Sequence, residues 1–270
     1  MALPTPATDR TAIVTGASSG IGVELARQLA ARGHGVTLVA RRAEKLTELA
    51  EELSQQGVRA EVLATDLSDR AQRAALPDRV DELGLTPNIL VNNAGLSTFG
   101  TVAASDPETE MNMIEVDLVA VADLCSRFLP EMVKRGDGAV LNVASTAAFQ
   151  PLPGQAGYGA GKAFVLSYTR SLAGELQGTG VTATALCPGP VETGFAEAAG
   201  VDPDDAEAAL PSFMWETPEA VARCGLDGLT KGAQVAIPGV ANRATAMFAH
   251  LAPKRLLVPL IASRHPGLRE

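Results

Sequence analysis

The sequence predicts a doubly wound α/β fold, in which a parallel sheet of about seven strands carries helices on both faces. Short apolar runs rich in β-branched residues alternate with longer amphipathic segments along most of the chain. Strands that are apolar throughout are typical of a parallel sheet covered on both faces. No internal repeat or low-complexity tract interrupts this order. We therefore expect residues 1–270 to form a single domain.

The elements follow one another in regular order. The predicted strands lie at residues 12–15, 36–40, 60–64, 89–91, 139–143, 181–186 and 234–237. The predicted helices lie at about residues 21–32, 43–55, 69–83, 107–134 and 155–177, and a further one opens at Thr217-Pro218. The long helix is expected to begin after Asp106, because aspartate caps helices and Pro107 suits the first helical position. Two stretches depart from the pattern: residues 194–216, an expected substrate lid, and the C-terminal extension, residues 241–270.

Composition excludes several classes of function. The formal net charge of −9 disfavours nucleic-acid binding, which calls for a basic face. The three cysteines and three histidines are scattered along the chain, so we expect neither a disulfide framework nor a metal site. No secretory signal and no apolar run of about 18 residues is present, which favours a cytoplasmic protein.

A glycine-rich turn after the first strand indicates a dinucleotide site. Its residues are Thr15-Gly16-Ala17-Ser18-Ser19-Gly20-Ile21-Gly22. The glycines permit close approach of the backbone to a ligand, and the following helix presents free N–H groups to a pyrophosphate. A glycine-rich turn that serves packing alone is the alternative.

The residues after the second strand bear on the choice of cofactor. Arg41 and Arg42 stand where an acid would bind the ribose 2′-hydroxyl of NAD, and arginine suits the 2′-phosphate of NADP. NADP(H) is therefore favoured over NAD(H), unless the two arginines are only solvated charges. Further contacts are expected from Asp66 and Leu67, and from the Asn92-Asn93-Ala94-Gly95 turn, at the carboxyl edge where ligands bind in such sheets.

A tyrosine and a lysine four residues apart suggest acid–base chemistry. Tyr158 and Lys162 share one face of a predicted helix, and Ser145 lies 13 residues upstream. A nearby cation is expected to lower the pKa of a tyrosine, so that the phenol can exchange a proton near neutral pH. Alone, the pair could equally be an exposed surface contact.

Taken together, these residues resemble the short-chain dehydrogenase/reductase family in its compact, single-domain form. The motifs occur in the family's order: Thr15–Gly22, Asn92–Gly95, Ser145, Tyr158-x-x-x-Lys162 and Pro188-Gly189. The resemblance covers about residues 8–193. It implies a Rossmann-type sheet with a nicotinamide cofactor across its carboxyl edge, and a homodimer or homotetramer formed through the long helices.

The resemblance also implies residue roles. Tyr158 would be the general acid/base, Lys162 would tune its pKa and hold the nicotinamide ribose, and Ser145 would bind the substrate oxygen. The cofactor carboxamide would be held by the loop Pro188-Gly189-Pro190-Val191-Glu192-Thr193, with Val191 and Thr193 as its contacts. This tight spacing of tyrosine and lysine favours C=O over C=C chemistry.

One position departs from the family pattern. Asp117 stands where the family has an asparagine that supports a water-linked proton relay to the lysine. A carboxylate there is expected either to hold such a water, to raise the pKa of Lys162 by charge pairing, or to weaken the relay. A nucleotide-binding sensor or scaffold with little catalysis is therefore the rival hypothesis, while a sugar-nucleotide epimerase would need a substrate domain that this chain lacks.

Apolar residues near the predicted site favour a lipophilic ketone or alcohol as substrate. Phe149, Gln150, Pro151 and Leu152 are expected to face it, and the lid is framed by Phe195, Phe213, Met214 and Trp215. The aromatic residues would otherwise only pack the lid on the domain. In the C-terminal extension, Pro253 and Pro259 would interrupt any long helix. This extension would pack on its own domain, enter a subunit interface or lie on a membrane surface.

Overall fold

The computed structural model describes residues 3–198, 211–263 and 265–268. Seven parallel strands form one sheet in the order β3-β2-β1-β4-β5-β6-β7. The strands are β1 (Arg10–Thr15), β2 (Val36–Ala40), β3 (Ala60–Ala64), β4 (Thr86–Asn92), β5 (Gly138–Val143), β6 (Val181–Leu186) and β7 (Val235–Ala236). The predicted fold class is confirmed, and β4 is longer than its apolar run indicated.

Helices connect the strands. They are α1 (Gly20–Ala31), α2 (Ala43–Ser54), α3 (Arg70–Glu82), α4 (Pro107–Ile114), α5 (Ala120–Arg135), α6 (Ala156–Glu175), the single turn α7 (Phe195–Ala198), α8 (Pro218–Thr230), α9 (Val240–Leu251) and α10 (Lys254–Ala262). The predicted long helix begins as expected, because the Asp106 side chain accepts a hydrogen bond from the Thr109 N–H. It is not one regular helix, since a π-helical turn, Glu115–Val119, joins α4 to α5.

The core lies on both faces of the sheet. Alternate strand residues point in opposite directions, so that Val14 and Leu38 pack with α1 and α2, whereas Ile13 and Leu90 pack with α3, α5 and α6. These side chains are fully buried, and burial of each contributes roughly 1.5–3 kcal/mol to the stability of the fold. The sheet is consequently a fixed platform for the loops at its carboxyl edge.

The strand order places a ligand crevice at that edge. β1 pairs with β2 on one side and with β4 on the other, so the connections leaving β1 and β4 run to opposite faces. Ligands in open α/β sheets bind where the strand order reverses in this way. The glycine turn after β1 and the turn after β4 therefore lie at the predicted position.

The two irregular stretches are only partly regular in structure. Within the lid, the described residues form α7 and a 3₁₀ turn, Ser212–Met214, and residues 199–210 lie outside the described residues. The C-terminal extension forms α9 and α10, separated at Pro253, while Pro259 lies inside α10 and does not end it. Across the described ranges, no helix has the length and apolar character needed to cross a membrane.

Candidate active site

The tyrosine and lysine that the sequence singled out lie one turn apart on α6, at the carboxyl edge. The Lys162 ammonium lies 5.5 Å from the centre of the Tyr158 ring. Lys162 is buried, and its Nζ donates to the Val143 carbonyl oxygen at 3.3 Å. The position of the lysine is therefore fixed by β5 as well as by its own helix.

Asp117 holds the other side of that ammonium. Its Oδ2 lies 2.9 Å from Lys162 Nζ, and its Oδ1 accepts a hydrogen bond from the Leu96 N–H at 2.7 Å. Gly95 makes room for the pair, because a Cβ at that position would lie 3.2 Å from Lys162 Nζ. The family's asparagine position is thus occupied here by the acidic half of a buried ion pair.

The π-helical turn brings Asp117 to this place. Its first residue, Glu115, forms an ion pair at 3.0 Å with Arg73, a buried arginine of α3 that also pairs with Asp123 at 3.2 Å. Single π-helical turns within α-helices are rare and are found frequently at functional sites. Charge pairing across α3 and α5 therefore supports the irregular turn that carries Asp117.

The pKa values in this group differ in part from expectation. Burial raises the pKa of Tyr158, and the Asp117 charge adds to that, although the Lys162 charge and the Ser145 hydroxyl act in the opposite direction. The expectation of a lowered tyrosine pKa is wrong for this structure, because desolvation outweighs the neighbouring cation. For Lys162, burial lowers the pKa, but the charge of Asp117 leads the opposing causes and the pKa lies above its ordinary value. Burial likewise raises the pKa of Asp117 against the opposing effect of Lys162.

Ser145 lies two residues after the end of β5. Its Oγ accepts from the Ala147 N–H at 3.1 Å and donates to the Pro188 carbonyl oxygen at 3.4 Å. Ser145 therefore caps the 3₁₀ turn Thr146–Phe149 and contacts the proposed nicotinamide loop. Hydrogen bonding by the Ser145 side chain is also one of the influences that lower the pKa of Tyr158.

The glycine turn has the shape that a pyrophosphate cradle requires. Gly16 and Gly20 have φ of +66° and +55°, values that other residues rarely adopt. A methyl group on Gly22 would overlap the Gly16 carbonyl. The Asn93 Nδ2 donates to the Thr15 carbonyl oxygen at 2.9 Å and ties this turn to the one after β4. At the start of α1, Ser19 makes no side-chain cap, so the first N–H groups of the helix remain available to a ligand.

The two arginines after β2 differ in their surroundings. Both are exposed. Arg42 lies on the glycine turn, and its Nη2 donates to the hydroxyls of Ser18 and Ser19, each at 2.9 Å. Arg41 has no hydrogen bond or ion pair among the described residues. Arg42 therefore lies against the glycine turn, and Arg41, directly after β2, is exposed.

The remaining predicted cofactor residues also lie along this edge. Asp66 accepts hydrogen bonds at Oδ1 from the Ser68 N–H at 2.9 Å and the Ser68 hydroxyl at 2.7 Å. Leu67 is buried, and its carbonyl accepts from Arg73. The Ala94 N–H donates to the Thr15 hydroxyl at 3.1 Å, which fixes the turn after β4.

The loop after β6 connects the two halves of the site. A Cβ on Gly20 would lie 3.0 Å from the Thr193 Cγ2, so this loop comes close to the glycine turn. Val191 forms a parallel bridge with Glu216, the last residue of the lid. Gly189 packs directly on Asn242 of α9, with no space for a side chain. The loop is thus supported from both the lid and the C-terminal helices.

Some residues near the site were not foreseen from the sequence. The Gln155 amide donates to the Ser97 hydroxyl at 2.7 Å, and its Oε1 lies 3.0 Å from Nε2 of His265. His265 also stacks on Phe99, with ring centres 5.5 Å apart. The C-terminal extension therefore packs on the start of α6 and on the loop after β4. No local sequence signal links residues 110 positions apart.

Apolar surroundings of the site differ from the prediction in one respect. Phe195 lies beside Tyr158, with ring centres 5.9 Å apart, as the lid hypothesis expects. Phe149, Gln150, Pro151 and Leu152 were expected to face the substrate, but they line a separate cleft of about 570 Å³. Four small residues of α6 line the same cleft: Ala156, Gly159, Ala160 and Ala163. Those four residues share the face of α6 turned away from Tyr158. In the described ranges, no cluster of His, Cys, Asp and Glu could hold a metal ion.

Comparison with known proteins finds similar dehydrogenases and reductases by both sequence and structure. A sequence model described as short chain dehydrogenase matches residues 10–203. A short chain dehydrogenase of Pseudocercospora fijiensis is 38% identical over 73% of this chain and 63% of its own length. A ketoacyl reductase assigned to the monensin polyketide synthase of Streptomyces virginiae is 38% identical over 81% of this chain and 89% of its own length. The structure of a short-chain dehydrogenase from Sphingobium yanoikuyae with NADPH has a TM-score of 0.79 and 33% identity, covering 93% of this chain and 95% of that one.

Proposed function

This chain belongs to the short-chain dehydrogenase/reductase family, and we propose that it transfers a hydride between NADP(H) and a lipophilic ketone or secondary alcohol. The observation that carries the proposal is the grouping of Tyr158, Lys162 and Ser145 at the carboxyl edge of the sheet. The phenol lies beside a fixed ammonium and a serine hydroxyl, which is the set that carbonyl–alcohol exchange requires.

The residues have distinct roles in this reaction. When bound, the nicotinamide supplies a hydride to the carbonyl carbon, or removes one from the alcohol carbon. In the reducing direction, Tyr158 gives its hydroxyl proton to the substrate oxygen, and Ser145 donates a hydrogen bond to the same oxygen. The Lys162 ammonium stabilises the tyrosinate that is left. In the oxidising direction the proton returns to Tyr158.

The cradle fits a nicotinamide dinucleotide. The Gly16–Gly22 turn would hold the pyrophosphate, since Gly16 and Gly20 adopt positive φ and the first N–H groups of α1 are free to bind an anion. Lys162 would bind the nicotinamide ribose, and Val191 and Thr193 would contact the carboxamide. Asp66 and the Asn93–Gly95 turn would contact the adenosine and the ribose. NADPH in the related Sphingobium structure supports the same class of cofactor.

Arg41→Ala is expected to weaken NADPH binding by at least tenfold and to leave NADH binding almost unchanged. An exposed guanidinium gains a charge-assisted hydrogen bond only where a 2′-phosphate is present. Titration of both reduced cofactors, followed by their fluorescence, measures the two affinities. Arg223→Ala, an exposed arginine of α8, serves as the matched control. Equal losses for both cofactors would mean that Arg41 does not bind the 2′-phosphate.

The proposed activity is tested with NADPH and a panel of ketones that differ in length and polarity. Consumption of the reduced cofactor, followed by its absorbance, should be fastest for apolar ketones, because Phe195 lies beside Tyr158. The rival hypothesis, a nucleotide-binding sensor, predicts NADPH binding with no turnover for any ketone. Turnover restricted to small, charged carbonyl compounds would contradict the lipophilic substrate class.

A homodimer or homotetramer is also proposed, with the long helices at the interface. Val119, Val133 and Phe164 lie on the π-helical turn, α5 and α6, and their side chains are between 38% and 39% exposed. Apolar side chains on adjacent helices favour burial against another copy. Sedimentation that finds only monomer at micromolar concentration would rule this assembly out.

A further inference from the structure

The C-terminal helices carry a large exposed apolar surface. Six side chains form it, which we call the C-terminal face: Val240, Met247, Phe248 and Leu251 of α9, with Leu256 and Leu260 of α10. Between 49% and 84% of each side chain is exposed. A soluble monomer rarely displays an apolar patch of this extent unless the patch binds something.

Surface helices ordinarily bury their larger apolar side chains, whereas α9 and α10 expose most of theirs. α9 packs on the protein through small side chains, Ala246 and Ala249, and α10 through Leu257. The larger side chains point outward, and Val240, Met247 and Leu251 are spaced to share one side of α9. Packing on the chain's own domain therefore accounts for the inner sides of these helices, while their outer sides are exposed among the described residues.

The charge of this segment indicates what the face contacts. Residues 241–270 contain five basic residues, Arg243, Lys254, Arg255, Arg264 and Arg269, against one acidic residue, Glu270. Because the whole chain has a net charge of −9, the preceding 240 residues carry −13. Arg243 and Arg255 are exposed beside the apolar side chains. A basic and apolar surface on an otherwise acidic protein is complementary to an anionic lipid bilayer.

We propose that the C-terminal face docks on the surface of an anionic membrane, with α9 and α10 lying in the interface. Helices of 12 and 9 residues are too short to span a bilayer but long enough to lie along it. A two-fold pairing of this face with itself would bring two basic segments together, so charge favours lipid over a second copy.

The position of the face connects it to the candidate site. The Asn242 Nδ2 of α9 donates to the Met214 carbonyl oxygen at 2.9 Å, next to Phe213, which is 72% exposed. The Lys254 Nζ, at the start of α10, donates to the Phe149 carbonyl oxygen at 3.4 Å. Docking would therefore place the turns Ser212–Met214 and Thr146–Phe149 next to the bilayer, and an apolar substrate of the class proposed above could enter from there.

The test is co-sedimentation of the full chain with vesicles of phosphatidylcholine alone and of phosphatidylcholine with phosphatidylglycerol. We expect binding to the anionic vesicles that is at least tenfold stronger than to the neutral ones and that falls as salt is raised. The double variant Phe248→Ser/Leu251→Ser should lose at least tenfold in binding to anionic vesicles. The double variant Val102→Ser/Met111→Ser, which alters exposed apolar side chains elsewhere (63% and 55% exposed), should bind as the unaltered protein does.

NADPH binding serves as the control for folding. We expect both variants to bind NADPH as the unaltered protein does, because neither pair of residues contacts the proposed cofactor site. Absence of binding to anionic vesicles would overturn the proposal, as would equal binding by the Phe248→Ser/Leu251→Ser variant. An oligomer that dissociates in that variant without any vesicle binding would assign the face to a second copy instead. These outcomes are independent of whether any ketone is reduced.

Discussion

Tyr158→Phe is expected to lower kcat/KM for ketone reduction by about 10²–10⁴-fold, the range typical for loss of a general acid. The substitution removes the hydroxyl proton and keeps the ring, which still contacts Phe195 at a centre-to-centre distance of 5.9 Å. Cofactor binding should be almost unchanged, because the glycine turn and the arginines are untouched. Steady-state rates and NADPH titration of the same preparations measure the two quantities.

The other tyrosine of the chain provides the matched control. Tyr168 lies on the same helix and stacks on Phe164, with ring centres 5.6 Å apart. Tyr168→Phe removes the same atom from α6 and should leave kcat/KM close to that of the unaltered enzyme. If both variants lose activity equally, the effect belongs to the helix and not to the chemistry. If Tyr158→Phe retains full activity, another group supplies the proton.

The strands, the glycine turn and the helix beginning at Pro107 could be predicted because their signals are local. Apolar β-branched runs mark β1 and β2 within their own sequence, and Asp106 with Pro107 marks a helix start without reference to the rest of the chain. Local signals also placed Tyr158 and Lys162 on one face of α6. The elements that the sequence marks by neighbouring residues therefore lie where they were predicted.

The π-helical turn could not be predicted, because it depends on contacts between distant segments. Five residues are too few to show a period different from that of an α-helix, and the turn is supported by the Arg73–Glu115 ion pair across 42 positions. For the same reason the sequence could identify Asp117 as unusual but could not show that it contacts Lys162 directly.

The direction in which the pKa of Tyr158 shifts could not be predicted without knowing that the residue is buried. From the sequence, the only visible neighbour of Tyr158 was the cation four residues away, which lowers the pKa. The structure adds desolvation and the Asp117 carboxylate, which both raise it. Similarly, the apolar residues of the C-terminal extension could be counted from the sequence, but only the packing of Ala246 and Ala249 shows that the larger ones face outward.

The second large expected effect is on stability and comes from the buried ion pair between Asp117 and Lys162. Asp117→Ala is expected to lower the free energy of unfolding by about 3–5 kcal/mol, because it leaves the Lys162 ammonium buried without its counter-charge and the Leu96 N–H without its acceptor. Asp117→Asn fills the same volume and can keep the bond to Leu96, so its cost should be smaller. Urea unfolding of the three proteins at neutral pH measures the difference.

Asp117→Asn is expected to retain or raise activity and to shift its pH profile. The Asp117 charge raises the pKa of Tyr158, so its removal lowers that pKa. Alcohol oxidation needs the tyrosinate, and its rising limb should therefore move to lower pH. Ketone reduction needs the protonated phenol, and its falling limb should move in the same direction. A loss of more than about tenfold at the optimum, roughly 1.4 kcal/mol in the barrier, would show that the carboxylate itself is required. An unshifted profile would show that Asp117 acts only on stability, through Lys162.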